Sequence, residues 1–298
     1  MTVPIRVGLI GANPTHPMTC LARRAALPLL LCFMAAAPTA VRAQYATPPP
    51  VLVIREFPKP DFDGPTKEKT EAAYIAAAKA GKPPIHHIAL TSVTGPGRVL
   101  FISGYPSFAA LEAEGKVGEK VPSAGAAFDH AIDVSHWVYR PDLSLNTRDL
   151  VGVRYLEVQL LITKPGHSVE FDEWVKMYID GYKNVPGYNW ATYQQVFGTN
   201  YYAYLFIARY KSLSEVDSAW GVGGAATSAF NGALGESRLK KLRAMWSVVV
   251  DAETTNLFSI RPEMSRPTDD VIKAEPNFWT PTPTSVAKKS TPDTASKP

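Results

Sequence analysis

Two polar side chains near the middle of the chain have a spacing that suits acid–base chemistry. Glu157 and Gln159 are two positions apart in a stretch, residues 155–162, where apolar side chains alternate with others. Alternation of this kind predicts a half-buried strand, so both side chains lie on one of its faces. A carboxylate on such a face can accept a proton when burial raises its pKa. The alternative is a solvated polar pair at the mouth of a sheet.

Aromatic residues crowd the hairpin that is predicted further along the chain. Alternation directs some of them towards a cavity in either register, and such a wall suits a flat apolar ligand. Ordinary packing accounts for the same residues without a ligand. Arg209, two positions beyond Ile207 on the same face, can hold a carboxylate or an enolate beside that wall. The aromatic residues are Trp190, Tyr193, Tyr201, Tyr202, Tyr204 and Phe206.

The spacing of the histidines allows a role in binding or as a base, but it does not allow a shared metal site. His86 and His87 are adjacent in a predicted strand, so they point to opposite faces and at most one of them faces a cavity. A satisfied structural histidine is the alternative for either. His130 and His136 are six positions apart on a predicted helix, about 240° around its axis, so they share no ligand face. The sequence therefore predicts no metal site.

Two short motifs that suggest other chemistry lack the context they need. Residues 221–226 match a G-x-G-x-x-A pattern, but they follow a capped helix rather than a strand, which does not provide the phosphate-binding turn. No G-x-S-x-G segment is present to form a serine nucleophile elbow. We therefore interpret the glycines as a flexible break within a helix.

Residues 1–43 have the pattern of a signal peptide. A basic pair, Arg23-Arg24, precedes an apolar stretch over residues 25–37, and Val41-Arg42-Ala43 forms a small-x-small cleavage site. We expect the mature chain to begin at Gln44 and to be periplasmic or secreted. The alternative, a retained membrane anchor, needs about 20 apolar residues, which is longer than this stretch. We expect no stable membrane insertion after cleavage.

Loss of this leader changes the cysteine content and the charge of the chain. We expect translation to start at Met18, with a misassigned start upstream. Cys20 and Cys32 leave with the leader, so the mature chain has no thiol ligand or nucleophile. The formal charge of +4 falls to zero, because the leader contains four arginines and no acidic residue. A neutral chain lacks the basic surface expected of a nucleic-acid-binding protein.

The rest of the chain contains two similar copies of one pattern. Three landmarks recur 105 residues later, and a fourth recurs after 121 residues. The pattern predicts two similar units, residues 44–149 and 150–266, followed by a disordered tail over 267–298 that is rich in Pro, Thr, Ser and Lys. The repeated landmarks are Lys59-Pro60 with Lys164-Pro165, Leu100-Phe101-Ile102 with Leu205-Phe206-Ile207, Tyr105-Pro106-Ser107 with Tyr210-Lys211-Ser212, and Arg140-Pro141-Asp142-Leu143-Ser144 with Arg261-Pro262-Glu263-Met264-Ser265.

Each copy is predicted to fold as strand, helix, two strands, helix, strand. In the second copy, Phe171, Trp174, Val175 and Tyr178 have the spacing of an amphipathic helix. Further predictions are strands at 51–57, 85–93, 98–105, 188–197, 201–210 and 254–261, and helices at 66–80, around 128–135 and at 239–249. This order is that of a ferredoxin-like unit, so the fold class is α+β.

The turn after the second copy's first strand, Lys164-Pro165-Gly166-His167-Ser168-Val169-Glu170-Phe171, resembles that of antibiotic-biosynthesis-monooxygenase domains and related dimeric α/β-barrel families. The resemblance covers residues 51–266 and implies a pseudo-dimeric barrel within one chain, with a lumen between its two sheets. Polar residues that face this lumen would then form the site. The superfamily includes oxygenases, haem enzymes and members without known activity, so the resemblance does not select a reaction.

Three functional interpretations follow. The first is a cofactor-independent barrel that binds a small aromatic or apolar molecule, with monooxygenase-like or isomerase-like chemistry. The second is a non-catalytic envelope scaffold whose partners are other proteins, and the oligomeric state stays open in either case. The third is a haem enzyme, which the sequence disfavours because the resemblance implies an axial histidine on the helix over residues 237–249, and that segment contains none.

Overall fold

The structure is a computed structural model, and the descriptions below concern the part of the chain that it describes: residues 47–58, 86–118, 131, 133–220 and 224–280. Several predicted features lie outside these residues: the leader, the landmark Lys59-Pro60, the helix at 66–80, His130, the glycines of the predicted break at 221–223 and the last 18 residues of the predicted tail.

Eight antiparallel strands form one closed barrel. Its strand order is β1-β3-β2-β8-β5-β7-β6-β4, closed by pairing of β4 with β1. Within each half the order is fourth, first, third, second strand, which is that of a ferredoxin-like unit. The two halves join where β2 pairs with β8 and β4 with β6. The strands are β1 (Val51–Pro58), β2 (Ile88–Ser92), β3 (Arg98–Tyr105), β4 (Asp133–Tyr139), β5 (Tyr155–Thr163), β6 (Ala191–Phe197), β7 (Ala203–Tyr210) and β8 (Val250–Ile260).

The helices lie between and after these strands. One of them, α4, is broken at Gly235, where a φ of 71° interrupts the helical backbone and favours glycine. No helix of the described ranges is long and apolar enough to cross a membrane. The helices are α1 (Phe108–Gly118), α2 (Ser168–Tyr182), α3 (Leu213–Ala219), α4 (Ala225–Val249), α5 (Asp269–Ala274) and α6 (Pro276–Trp279), with short 3-10 turns at Pro141–Leu143 and Pro262–Met264.

Apolar side chains fill the interior of the barrel, which corrects the expectation of a ligand cavity between the sheets. Leu156 and Val158 of β5 point inwards and pack with residues from every other strand. An eight-stranded barrel is just wide enough for its own side chains to fill. The other buried members of this interior cluster are Leu52, Ile54, Ile88, Leu90, Leu100, Ile102, Trp137, Leu150, Val153, Ala191, Tyr193, Ala203, Leu205, Ile207, Phe258, Ile260 and Trp279.

Helices α2 and α4 cover the outer face of the second half of the barrel. Phe171 of α2 is fully buried, and its ring lies 4.4 Å from that of Tyr204 in β7, between ring centroids. Gly181 lets Phe230 of α4 approach closely, since a Cβ atom at residue 181 would lie 2.3 Å from its ring. The helix predicted from the spacing of aromatic residues is therefore confirmed, together with the face that it buries.

One predicted helix is wrong in the part that the structure describes. Residues 133–139 form β4 rather than the continuation of a helix from Phe128. His136 accordingly lies in a strand, paired with Val53 of β1. The stretch also alternates, since Ser135 and Trp137 are buried on one face while Val134 is exposed on the other. The sequence of this segment fits both the helical period and the strand period, and the helical prediction was the wrong one.

The repeated Arg-Pro-acid-x-Ser landmark forms the same turn in both halves and connects them. The hydroxyls of Ser144 and Ser265 each donate to the carbonyl of the landmark's own arginine, at 2.7 Å. The backbone N–H of Arg140 donates to the carbonyl of Thr192 in β6, and that of Arg261 donates to the carbonyl of Ala89 in β2. Each turn therefore holds the edge of the opposite half.

Within residues 267–280, the structure also corrects the predicted disorder, because helices α5 and α6 lie there. Trp279 is 5% exposed and belongs to the interior cluster of the barrel. Glu275 forms an ion pair with Arg154 and accepts a hydrogen bond from the Gly152 N–H at 3.0 Å. The Arg154 guanidinium lies 3.7 Å from the centroid of the Phe278 ring. Few but large apolar residues order a segment whose average composition predicts disorder.

Candidate functional site

A cavity of about 430 Å³ lies between the outer face of the second half of the barrel and the helices that cover it. Its floor comes from β5, β7 and β8, and its walls come from α2, α3, α4 and the segment before β6. We call it the outer cavity. Its lining residues are Glu157, Gln159, Leu161, Trp174, Val175, Tyr178, Tyr182, Tyr188, Asn189, Trp190, Phe206, Ala208, Tyr210, Ala219, Trp220, Thr227, Trp246 and Glu253.

Glu157 is the central polar residue of the floor. Its neighbour in β7 is Ala208, whose small side chain leaves space above the carboxylate. Glu157 Oε2 accepts hydrogen bonds from the hydroxyl of Tyr210 at 3.0 Å and from the indole N–H of Trp220 at 2.8 Å. Burial raises the pKa of Glu157 above its ordinary value, and these two donors oppose the rise only in part. The result is a carboxylate that binds a proton more readily than an exposed glutamate does.

Two tyrosines beside Glu157 remain phenols at neutral pH. Burial, together with the nearby Glu157 charge, raises the pKa of Tyr210. Burial also raises the pKa of Tyr188, whose hydroxyl donates to the carbonyl of Ala219 at the end of α3. Both hydroxyls therefore act as hydrogen-bond donors. They fix one oxygen of Glu157 and the end of α3 in place.

Helix α2 forms an aromatic wall opposite the carboxylate. Trp174, Tyr178 and Tyr182 are spaced by four residues, so they lie on one face of the helix. The Trp174 and Tyr178 ring centroids are 4.7 Å apart. Tyr182 stacks on Tyr188 at 3.9 Å with an interplanar angle of 10°, and Trp246 of α4 lies 5.4 Å from Trp174. Burial raises the pKa of Tyr178 to about 12, so this phenol is uncharged at neutral pH.

The indole N–H of Trp174 is a donor without a partner. The side chain lines the outer cavity and is 5% exposed, and its Nε1 atom is buried without an acceptor among the described residues. A buried donor of this kind costs free energy unless something accepts from it. An acceptor atom on a ligand in the outer cavity would satisfy it.

Three of the predicted site residues line the outer cavity. Glu157 and Gln159 lie on its floor, and the Gln159 amide donates to Glu253 Oε1 at 2.6 Å. Trp190 lies at its edge and donates from Nε1 to the Leu143 carbonyl at 2.9 Å. The residues are those expected, but they face the helices rather than the interior of the barrel.

Tyr193 and Arg209 do not line this cavity. Tyr193 is 1% exposed inside the barrel, where its ring lies 5.4 Å from that of Tyr139. Arg209 follows Ala208 in β7, so strand alternation directs it to the inner face, and it is buried there. Its backbone exchanges two hydrogen bonds with the Asn189 side chain. Neither residue therefore contacts the space beside Glu157.

His86 and His87 belong to the first half and are also distant from this site. His87 is 2% exposed, its Nε2–H donates to the Met264 carbonyl at 3.0 Å, and its ring lies 5.2 Å from that of Phe101. In the second half, Trp190 makes the equivalent bond to Leu143. His87 therefore connects the two halves, and His86 precedes β2 without lining the outer cavity.

We expect His87→Leu to lower the free energy of unfolding by about 1–3 kcal/mol, because the Met264 carbonyl is then buried without a donor. The measurement is the denaturation midpoint in urea, followed by circular dichroism. His167→Leu is a control, since that histidine side chain is 37% exposed. Equal losses in the two variants would contradict the role assigned to His87.

The first half lacks the residues that build this floor. Val53 pairs with Ser103 at the register where Glu157 pairs with Ala208 in the second half. The corresponding tyrosine, Tyr105, donates instead to Glu114 of α1 at 2.9 Å. The carboxylate floor is therefore a property of the second half.

Sequence analysis missed several residues of the outer cavity. The four-residue spacing of Trp174, Tyr178 and Tyr182 was a detectable signal, but it served only to predict a buried helix face. Trp220 reaches Glu157 from the end of α3, and nothing in its sequence position indicates that contact. Glu253 stands in β8 opposite Leu161, a register that depends on the closed barrel.

The residues of the outer cavity do not fit a haem or a metal ion. None of the described residues that line it is a histidine or a cysteine. No group of three or more His, Cys, Asp or Glu within the described ranges is arranged to hold a metal ion.

Comparisons with known proteins give similarities of fold. No protein-family model and no curated protein sequence matches the chain. Among solved structures, an anthrone oxidase-like protein has a TM-score of 0.48 and 13% identity, covering 73% of this chain and 93% of its own. A "putative monooxygenase" of Fusobacterium nucleatum has a TM-score of 0.44 and 11% identity, with 70% and 91% covered. A "putative monooxygenase" of Lactobacillus acidophilus has a TM-score of 0.42 and 10% identity, with 70% of this chain and 93% of its own covered.

The strand order of the chain itself shows two ferredoxin-like units closed into one barrel. The chain therefore has the α+β fold of the dimeric α/β-barrel superfamily.

Proposed function

We propose that the outer cavity binds a small, flat aromatic or apolar molecule and that Glu157 removes a proton from it. The observation that carries this proposal is the position of Glu157: a carboxylate with a raised pKa on the floor of an aromatic cavity of about 430 Å³. Packed protein interiors contain few voids larger than a water molecule. A space of this size with a polar floor has the character of a ligand site.

The arrangement assigns a role to each oxygen of Glu157. Oε2 accepts from Tyr210 and Trp220, which fixes the plane of the carboxylate. Oε1 faces no donor among the described residues and is the atom that takes the proton from an acidic C–H or O–H group. The bonding electrons stay on the substrate as an enolate or phenolate. Trp174 Nε1–H is available to donate to an oxygen of that anion.

Two reactions can follow this step. In an isomerase-like reaction, the proton returns from Glu157 to another atom of the substrate, and no oxidant is consumed. In a monooxygenase-like reaction, the anion reacts with dioxygen, which is then the co-reactant. Both reactions need the same base, so an assay of proton removal tests the step that they share.

The test is hydrogen–deuterium exchange into 2-tetralone, an aromatic ketone with acidic C–H groups, followed by NMR in D₂O. We expect the protein to accelerate exchange above the buffer rate.

Native mass spectrometry of the protein purified from its own cells should also find a bound small molecule. Absence of both results would favour the alternative, a non-catalytic scaffold. A Soret band on haem addition would instead support a haem-binding barrel.

We expect Ala208→Phe to reduce the rate of exchange at least tenfold, because its ring would occupy the space above Glu157. Thermal unfolding followed by circular dichroism checks that the fold is kept. Ala208→Leu, a smaller change, should give a smaller loss. If Ala208→Phe folds normally and exchanges protons at the wild-type rate, the outer cavity is not the site.

Export is a separate part of the proposal and is supported by the leader pattern in the sequence. Fractionation of the native cells, followed by N-terminal sequencing of the purified chain, tests it. We expect the protein in the envelope or the medium with Gln44 as its first residue. A cytoplasmic chain that retains residues 18–43 would overturn this part alone.

A further inference from the structure

We propose that the ligand of the outer cavity carries a positively charged nitrogen, such as a quaternary or protonated amine. This inference rests on the function proposed above and names the class of ligand that the same cavity selects. It depends on which charged side chains line the cavity and on how the aromatic rings are arranged around them.

The charge of the lining has one sign. Glu157 and Glu253 both line the outer cavity, and none of its described lining residues is Lys, Arg or His. Arg148, whose charge reaches Tyr210, pairs with Glu215 at 3.2 Å. Two cations of α4 pair on its outside, Lys241 with Glu173 and Arg238 with Asp180. The cavity therefore contains two carboxylates without a resident cation.

The charge of Glu253 acts inside the cavity. It raises the pKa of Glu157 and contributes to the raised pKa of Tyr178, in each case after the larger effect of burial. The two carboxylates therefore repel each other across the floor. A cation between them would relieve this repulsion, whereas an anionic ligand would increase it.

The aromatic rings form a nearly continuous wall around this pair. From Trp246 the contacts run through Trp174, Tyr178 and Tyr182 to Tyr188, with centroid separations between 3.9 and 6.3 Å. Rings attract a cation that lies over their faces, and carboxylates with aromatic cages are a common means of recognising quaternary ammonium groups. The buried Trp174 N–H adds a donor for an oxygen elsewhere on the same ligand.

A ligand without charge would leave this arrangement unused. A neutral ring gains the same apolar contact area but no attraction to the two carboxylates. A purely apolar pocket would also not need Glu157 on its floor, because burying that carboxylate raises the free energy of the empty protein. The lining is thus complementary to a cation with an apolar surface.

The test compares two probes of the same shape that differ in charge: choline and 3,3-dimethylbutan-1-ol. Binding to the full chain is measured by isothermal titration calorimetry or by saturation-transfer NMR. We expect the Kd of choline to be at least tenfold lower than that of the neutral alcohol. Glu253→Gln should reduce this preference several-fold, and Trp246→Leu should weaken choline binding more than binding of the alcohol.

Glu173→Gln is the matched control, because Glu173 lies on α2 but pairs with Lys241 and does not line the cavity. It should leave both affinities unchanged. Equal affinities for the two probes, or tighter binding of the alcohol, would overturn the inference while the outer cavity remains a ligand site. Binding of 2-tetralone without binding of choline would do the same. Failure of all three probes to bind would overturn both this inference and the proposed function.

Discussion

Replacing Trp279 with alanine should destabilise the protein by about 3–5 kcal/mol, the usual cost of removing a buried large aromatic side chain. Trp279 is 5% exposed and belongs to the interior cluster of the barrel, although it lies beyond the last strand. The loss leaves a cavity at a position where the surrounding strands cannot close in, because their hydrogen bonds fix their separation. Denaturation in urea or guanidinium, followed by circular dichroism, measures the change.

The control for this variant is Tyr201→Ala. Tyr201 is 84% exposed in the turn between β6 and β7, so its loss should change the free energy of unfolding by no more than about 0.5 kcal/mol. Arg154→Gln should have an intermediate effect, since it removes the partner of Glu275 but keeps Trp279 in place. If Trp279→Ala and Tyr201→Ala have the same midpoint, helices α5 and α6 do not contribute to the core.

This part of the chain shows where composition fails as a predictor. Average composition after residue 267 indicates disorder, because Pro, Thr, Ser and Lys dominate. Val271, Ile272, Phe278 and Trp279 nevertheless pack against the barrel. Four apolar residues are enough when a folded surface already exists to receive them. Such a surface is a tertiary feature, and a window of sequence does not reveal it.

The strands and helices of the second half were predictable because burial imposes one period over many residues. Leu156 and Val158 alternate with Glu157, and Phe171, Trp174 and Val175 follow the helical period, so each pattern has one interpretation. The helical period that begins at Phe128 does not hold to its predicted end, because residues 133–139 form β4. Long, consistent patterns were predicted correctly, whereas a short one was not.

Periodicity could not decide which face of a strand meets a ligand. It places Glu157 and Gln159 on one face of β5, and the structure agrees. Whether that face lines the interior or the helices depends on how the barrel fills itself, and its interior is packed with Leu, Ile and Val. Tyr193 and Arg209 were assigned to the site for the same reason, but they lie on the inner face. The sequence therefore predicted the site residues of β5 correctly, but it did not predict those of β6 and β7.

Replacing Glu157 with glutamine should reduce proton exchange by about 10²–10⁴-fold, the usual contribution of a positioned general base. The amide has nearly the same shape, and its oxygen can still accept from Tyr210 and Trp220, so the cavity keeps its form. Only the capacity to take a proton is lost. Glu173→Gln, an exposed carboxylate outside the cavity, should exchange at the wild-type rate.

The same substitution should make the protein more stable at neutral pH. Burial raises the pKa of Glu157 in the folded state above its ordinary value of 4.5, so the charged form is disfavoured by folding. The stability that the protonated form provides is complete below pH 4.5 and is lost as pH rises through the raised pKa. Glu157→Gln carries no such charge. Its Tm should therefore exceed that of the wild type at pH 7, and the difference should disappear in acid.

These two effects have opposite signs, and together they distinguish a base from a structural carboxylate. If Glu157 had only a structural role, Glu157→Gln would destabilise the protein, because the two hydrogen bonds that Glu157 accepts would weaken and nothing would compensate for them. A base retained for its reaction costs stability in the empty protein, which is common at functional sites. The wild-type exchange rate should also fall as pH decreases through the raised pKa of Glu157, while the residual rate of the variant stays flat. A variant that is less stable but equally active would show that Glu157 supports the fold and not the reaction.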